Sequence, residues 1–111
     1  MCVINFITGG GGFIGQRLVA TLRQSGNKIR FLSRKCQFED TVVCDLQSDS
    51  IPGDALYGVD TIFHLAGFTH DFRDASKIAD LYYKVNVSAT VQLANLAVKS
   101  GVKRFVFVSS V

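Results

Sequence analysis

The sequence predicts an α/β domain built on a doubly wound parallel sheet of five strands. Three observations carry that prediction. Short apolar segments alternate with longer segments whose apolar residues recur four apart, the pattern of strand, helix and strand in a parallel sheet. The first apolar segment runs directly into a glycine-rich turn and then a helix. A later segment, Phe105-Val106-Phe107-Val108, is continuously apolar, as expected of a strand covered on both faces.

Val3 to Ile7 forms the first strand. Phe13 to Ser25 reads as a helix, with Ile14, Leu18 and Leu22 along one face, and Gly26 supplies its C-terminal stop. Lys28 to Ser33 is the second strand, carrying Ile29, Phe31 and Leu32, and Thr41 to Cys44 is a short third. Asp54 to Tyr57 suits a helical turn, and Thr61 to Leu65 is the fourth strand. A long helix runs from Asp74 to Ser100 with the stripe Ile78, Leu81, Tyr82, Val85, Ala89, Leu93 and Leu96, and Gly101 ends it. Lys103 to Ser109 is the fifth strand. The first strand should be central, with the second and third on one side and the fourth and fifth on the other.

A doubly wound sheet ordinarily continues with another helix and strand, whereas the chain stops at Val111. The expectation is an N-terminal portion of a longer protein, or an edge covered by another molecule. The apolar edge at Phe105 to Val108 is expected to drive self-association, so a homo-oligomer is the expected assembly.

The length of 111 residues suits one domain, and 48% apolar residues with a single proline exclude disorder. The formal net charge of +3 is spread without a basic run, which suits an anionic small molecule and gives no ground for nucleic acid. The three cysteines, Cys2, Cys36 and Cys44, are odd in number and lack a C-x-x-C pair. Neither a disulfide framework nor a zinc site is expected, and a reducing cytoplasmic setting fits. The apolar start, Met1 to Ile7, is too short for a signal sequence, and no run approaches membrane-spanning length. His70, Asp71 and Asp74 cluster, but no third ligand spacing supports a metal.

The turn Thr8-Gly9-Gly10-Gly11-Gly12-Phe13-Ile14-Gly15 fits two spacings, Gly10-x-Gly12-x-x-Gly15 and Gly9-x-x-Gly12-x-x-Gly15. Both make the same physical demand. One glycine permits a tight turn, another lets phosphate approach the backbone, and Gly15 lets the helix lie close on the strand. The N–H groups at the start of the Phe13 helix then face a diphosphate, favoured by the helix dipole. The motif between strand and helix therefore predicts a dinucleotide site, against the alternative of a structural turn without a ligand.

The second strand ends in Ser33-Arg34-Lys35, where an NAD site usually carries an acid; Glu39 and Asp40 lie further on. Arg34 can pair with a 2′-phosphate through its planar fork, and Ser33 can donate a hydroxyl hydrogen bond. NADP(H) is the expected coenzyme, with NAD(H) the other possibility should the basic pair be only solvated surface.

Taken in order, Thr8 to Gly15, Asp45-Leu46, His64-Leu65-Ala66-Gly67, Asn86-Val87-Ser88-Ala89-Thr90 and Phe107-Val108-Ser109-Ser110 resemble a known family. They look like the extended short-chain dehydrogenase/reductases, Rossmann-fold enzymes of the epimerase/dehydratase group acting on sugar nucleotides and related substrates. The resemblance implies that Gly9, Gly12, Phe13, Ile14 and Gly15 hold the coenzyme, with Asp45 and Leu46 bordering its adenine. A turn cap is the alternative role for Asp45. It implies backbone contacts from Leu65, Ala66 and Gly67, and a place for Asn86 near the nicotinamide. A satisfied structural amide is the alternative for Asn86. His64 reads as a packed, hydrogen-bonded histidine. Ser110 would be the catalytic serine holding the substrate oxygen, and a serine pair that merely ends a strand is the alternative.

The family pairs that serine with Tyr-x-x-x-Lys, the tyrosine serving as acid/base. Here Tyr57 is followed four residues on by Thr61, Tyr82 by Asn86 and Tyr83 by Val87, so the chain by itself is expected to be inactive. The expected function is the coenzyme-binding portion of a nucleoside-diphosphate-sugar epimerase or dehydratase, or of a related carbonyl reductase. The rival class is a non-catalytic dinucleotide-binding regulator or redox sensor of the same fold.

Overall fold

A computed structural model describes residues 3–9, 13–33, 36, 40–45, 50–65 and 87–107. Strands β1 (Ile4–Thr8), β2 (Lys28–Ser33), β3 (Thr41–Val43), β4 (Val59–His64) and β5 (Arg104–Phe107) accompany helices α1 (Phe13–Gln24) and α2 (Ala89–Ser100). The strands form one parallel sheet in the order β3-β2-β1-β4-β5. The order reverses between β1 and β4, as the alternation of elements predicts.

Strand alternation divides the apolar residues between two faces. Phe6, Leu32 and Ile62 point to the α2 side, where they pack with Leu56, Leu93 and Ala97. Ile7 and Phe31 point to the other side and meet Val19 of α1, flanked by Leu18, Leu22, Phe63 and Leu65. Complete burial of a side chain of this size contributes about 1.5–3 kcal/mol, so both faces stabilise the sheet.

Gly15 and Val19 are buried on α1, with Leu18 and Leu22 half-buried beside them. Ile14 is 56% exposed, which corrects the stripe through Ile14, Leu18 and Leu22. Positions four apart drift by about 40° per step on a helix of 3.6 residues per turn. Ile14 therefore lies about 80° round from Leu22 and falls off the sheet-facing side. Both helices end as expected at left-handed glycines. Gly26 has φ 78°, with Asn27 N–H donating to Leu22 O at 3.2 Å and Gly26 N–H to Arg23 O at 3.0 Å. Gly101 has φ 74°, and Val102 N–H donates to Ala97 O at 3.0 Å. These are the paired bonds that satisfy the last carbonyls of a helix.

Pro52 to Val59 winds through successive turns, with N–H to O bonds from Ala55 to Pro52, Tyr57 to Asp54 and Val59 to Leu56, each 3.1 Å. Arg30 of β2 holds them from the side. Its Nη1 donates to Ala55 O at 2.9 Å and Tyr57 O at 2.8 Å, and its Nε pairs with Asp40 at 3.2 Å. β4 begins two residues earlier than the sequence pattern indicates. The pairing passes from Ile4 with Val59 to Asn5 with Thr61, so Asp60 is an extra residue at a bulge. A charged residue in that position hides the strand start from a search for alternation. The Nδ2 of Asn5, buried in β1, has no hydrogen-bond partner among the described residues.

β5 departs from expectation in its burial. Val106 is 38% and Phe107 46% exposed, so the strand is not covered on both faces among the described residues. It is the outer strand of the described sheet. No helix among the described residues is long and apolar enough to cross a membrane.

Candidate functional site

Where the strand order of an open parallel sheet reverses, the connections leave in opposite directions and a crevice opens at the carboxyl ends. Here β1 and β4 flank that point, and their ends carry Thr8-Gly9 and His64-Leu65. Gly9 has φ 74°, a conformation that costs an ordinary residue about 1–2 kcal/mol. The glycine therefore supplies a left-handed bend as soon as β1 ends.

α1 starts at Phe13, and its first turn holds no acidic residue. The first N–H groups of an α-helix point out of its end without an intrahelical acceptor. With no carboxylate in that first turn, the positive end of α1 favours an anion. Ile14 is exposed at this end, whereas Gly15 is buried. A buried, side-chain-free position lets the helix start lie close to the sheet.

A hydrogen-bond chain joins the carboxyl ends of β1 and β4 to α2. Leu65 N–H donates to Thr8 O at 3.2 Å and to Thr8 Oγ1 at 3.1 Å. Thr8 Oγ1 lies 2.7 Å from His64 Nδ1, and His64 Nε2 lies 2.8 Å from Thr90 Oγ1 on α2. His64 is 1% exposed, and burial pushes its pKa down to about 4. The ring is thus neutral at physiological pH, a packed and hydrogen-bonded histidine as its sequence context indicates.

The same edge of the sheet gathers further predicted residues. Ser33 ends β2 half-buried, its carbonyl accepting Cys44 N–H at 2.9 Å. Asp45, also half-buried, follows directly after Cys44. Gln92 Oε1 of α2 accepts Ile51 N–H at 3.1 Å and fastens the segment after β3 to that helix. Gly9, Ile14, Gly15, Ser33, Asp45 and Leu65 therefore lie at the carboxyl end of the sheet, where α1 begins. Gly12, Arg34, Leu46, Ala66, Gly67, Asn86 and Ser110 lie outside the described residues, as does the stretch from Asp74 to Asn86 assigned to the long helix. Phe13 occupies the first position of α1.

Sequence reasoning gave no role to the Thr8 and Thr90 hydroxyls. Thr8 and His64 are register partners, each two residues beyond an apolar residue, Phe6 and Ile62, on the same face. Polar residues ending two apolar strands in phase were the available signal.

A sequence profile described as the NAD dependent epimerase/dehydratase family matches residues 5–111. The chain is 33% identical over 114 residues to a 3-beta-hydroxysteroid dehydrogenase of Mycolicibacterium neoaurum, covering 94% of this chain and 31% of that enzyme. Among solved structures, a short-chain dehydrogenase/reductase superfamily protein from Agrobacterium tumefaciens with bound NAD superposes with a TM-score of 0.82 at 33% identity. That match covers 96% of this chain and 32% of the other. MoeE5 in complex with UDP-glucose and NAD superposes with a TM-score of 0.80 at 34% identity, covering 96% and 36% of the two chains. The chain thus spans about a third of the length of each of these relatives.

Proposed function

The chain belongs to the NAD dependent epimerase/dehydratase family, and from that premise we propose that it binds NADP(H) in preference to NAD(H) on its glycine turn. It serves as the coenzyme-holding portion of an enzyme acting on a small carbonyl or hydroxyl substrate such as a nucleotide sugar. The observation that carries the coenzyme site is the left-handed Gly9 at the end of β1, set against an acid-free start of α1. A side chain at that turn would be strained, and a carboxylate in that first turn would repel a diphosphate.

Backbone amides at Phe13, Ile14 and Gly15 hold the diphosphate, with Gly9 and Gly12 keeping side chains away from it. Ser33 and Arg34 hold the adenosine 2′-phosphate, Ser33 through its hydroxyl and Arg34 through its guanidinium fork. Asp45 and Leu46 border the adenine, where a carboxylate accepts from the amino group. Leu65, Ala66 and Gly67 bring backbone to the coenzyme, and Asn86 fixes the chain near the nicotinamide. A bound nicotinamide coenzyme supplies hydride transfer to and from a substrate carbon. Ser110 holds the substrate oxygen by a hydrogen bond. No tyrosine in these 111 residues precedes a lysine by four positions, so the chain alone does not turn over substrate. The nucleotide-sugar assignment draws support from MoeE5, the relative complexed with UDP-glucose.

Calorimetric dissociation constants for NAD+ and NADP+ test the proposal. Tighter NADP+ binding is expected. Equal affinity or tighter NAD+ binding removes the 2′-phosphate role of Ser33 and Arg34.

A further inference from the structure

We propose that His64 is a positioning residue whose imidazole, protonated on Nε2, locks the coenzyme turn to α2 and β5. The inference rests on the coenzyme reading above. Three elements meet at this ring. Thr8, at its Nδ1, immediately precedes the left-handed Gly9. Thr90, at its Nε2, stands in the first turn of α2, four residues after Asn86. Phe107 of β5, three residues before Ser110, lies against the ring with centroids 5.5 Å apart, and Phe105 lies at 6.2 Å.

The direction of the hydrogen bonds follows from Leu65. Its N–H donates to Thr8 Oγ1 at 3.1 Å. A hydroxyl that accepts one hydrogen bond is polarised into a better donor. Thr8 O–H therefore donates to Nδ1, across 2.7 Å. Nε2 then carries the ring proton and donates to Thr90 Oγ1, across 2.8 Å. Among the described residues no charged side chain bonds to the ring, and burial keeps it neutral. An apolar side chain of similar volume would fill the space but would set neither hydroxyl. The two-nitrogen bridge instead fixes the Thr8 rotamer, and with it the entry to the glycine turn.

Nitrogen-15 NMR of the histidine rings at neutral pH, combined with coenzyme titration of the same samples, tests this. The variant His70→Gln assigns the signals. The wild-type ring is expected as a single neutral tautomer with its proton on Nε2. Thr90→Val should weaken coenzyme binding by about three- to tenfold while the Thr8 hydroxyl keeps the proton on Nε2, and Thr90→Ser should restore the affinity. A proton on Nδ1, averaged tautomers in the wild type, or unchanged affinity in Thr90→Val overturns the inference. Should Thr90→Val fail to fold, the wild-type tautomer decides the matter alone. If the wild type binds neither coenzyme, the coenzyme reading fails. If the wild type binds and Thr90→Val binds equally well, only the role of His64 fails.

Discussion

Thr8 Oγ1 and His64 Nδ1 lie 2.7 Å apart, joining the ends of β1 and β4 across 56 residues of sequence. Both groups are buried, so the bond is sheltered from competing water. This pairing ties together the two strands that flank the switch point. Burial of the His64 ring, rather than the bond itself, predicts a fold that loses stability in acid.

The histidine pKa falls from 6.5 to about 4 on folding because burial disfavours the charged ring. Between those pH values the unfolded chain binds more protons than the folded one, so stability rises with pH across this window. The contribution is complete above about pH 6.5 and is lost as the pH falls toward 4. It amounts to on the order of 3 kcal/mol. Urea unfolding at a series of pH values should show this slope, and His64→Gln should flatten it. An equal slope in the variant would assign the acid sensitivity to other groups.

Gly9 and Gly26 both adopt left-handed conformations, with φ of 74° and 78°. An alanine at either should cost about 1–2 kcal/mol in stability. The position at Gly26 opens into space with no atom within 4 Å of an added Cβ, and it caps the far end of α1. Gly26→Ala should therefore leave coenzyme affinity unchanged, while Gly9→Ala should lower it by about tenfold or more through crowding of the diphosphate. Parallel unfolding and titration experiments separate the two effects. Equal coenzyme losses would show that affinity follows stability alone.

On the 2′-phosphate role proposed for Arg34, Arg34→Ala should weaken NADP+ binding by about tenfold or more, the loss of a charge-assisted fork. NAD+ lacks that phosphate, and its affinity should stay within about twofold. Paired titrations with the two coenzymes read the ratio directly, and equal losses for both would remove Arg34 from any specificity role.

Val106 and Phe107 present apolar surface on the outer strand of the described sheet. The chain should self-associate through this edge, and Val106→Lys should shift it toward monomer. Light scattering of both proteins checks this. A monodisperse wild-type monomer would contradict it.

The strand order was legible because the glycine turn between β1 and α1 marks the first strand as the central one of a doubly wound sheet. The second strand was legible to the residue, Lys28–Ser33, because its apolar positions are flanked by polar ends. Ile14 was misplaced because spacing by four follows a drifting row, whereas Val19 is the α1 residue buried against Ile7 and Phe31 of the sheet. The start of β4 was hidden by the bulge at Asp60, which single-strand periodicity cannot report. The burial of β5 was over-read because a continuous apolar run identifies a strand but does not say what covers it. At the site, Gly9 was legible from its motif, since left-handed backbone has a residue signature. The Thr8–His64–Thr90 chain was not, because it depends on register between distant segments.

Amide chemical shifts on coenzyme titration test whether backbone amides at the start of α1 receive a diphosphate. Saturable shifts should appear with NADP+ and be largest from Gly9 to Gly15. Absence of saturable shifts with either nicotinamide coenzyme, or shifts confined to the opposite end of the sheet around Lys28 and Val59, would contradict it.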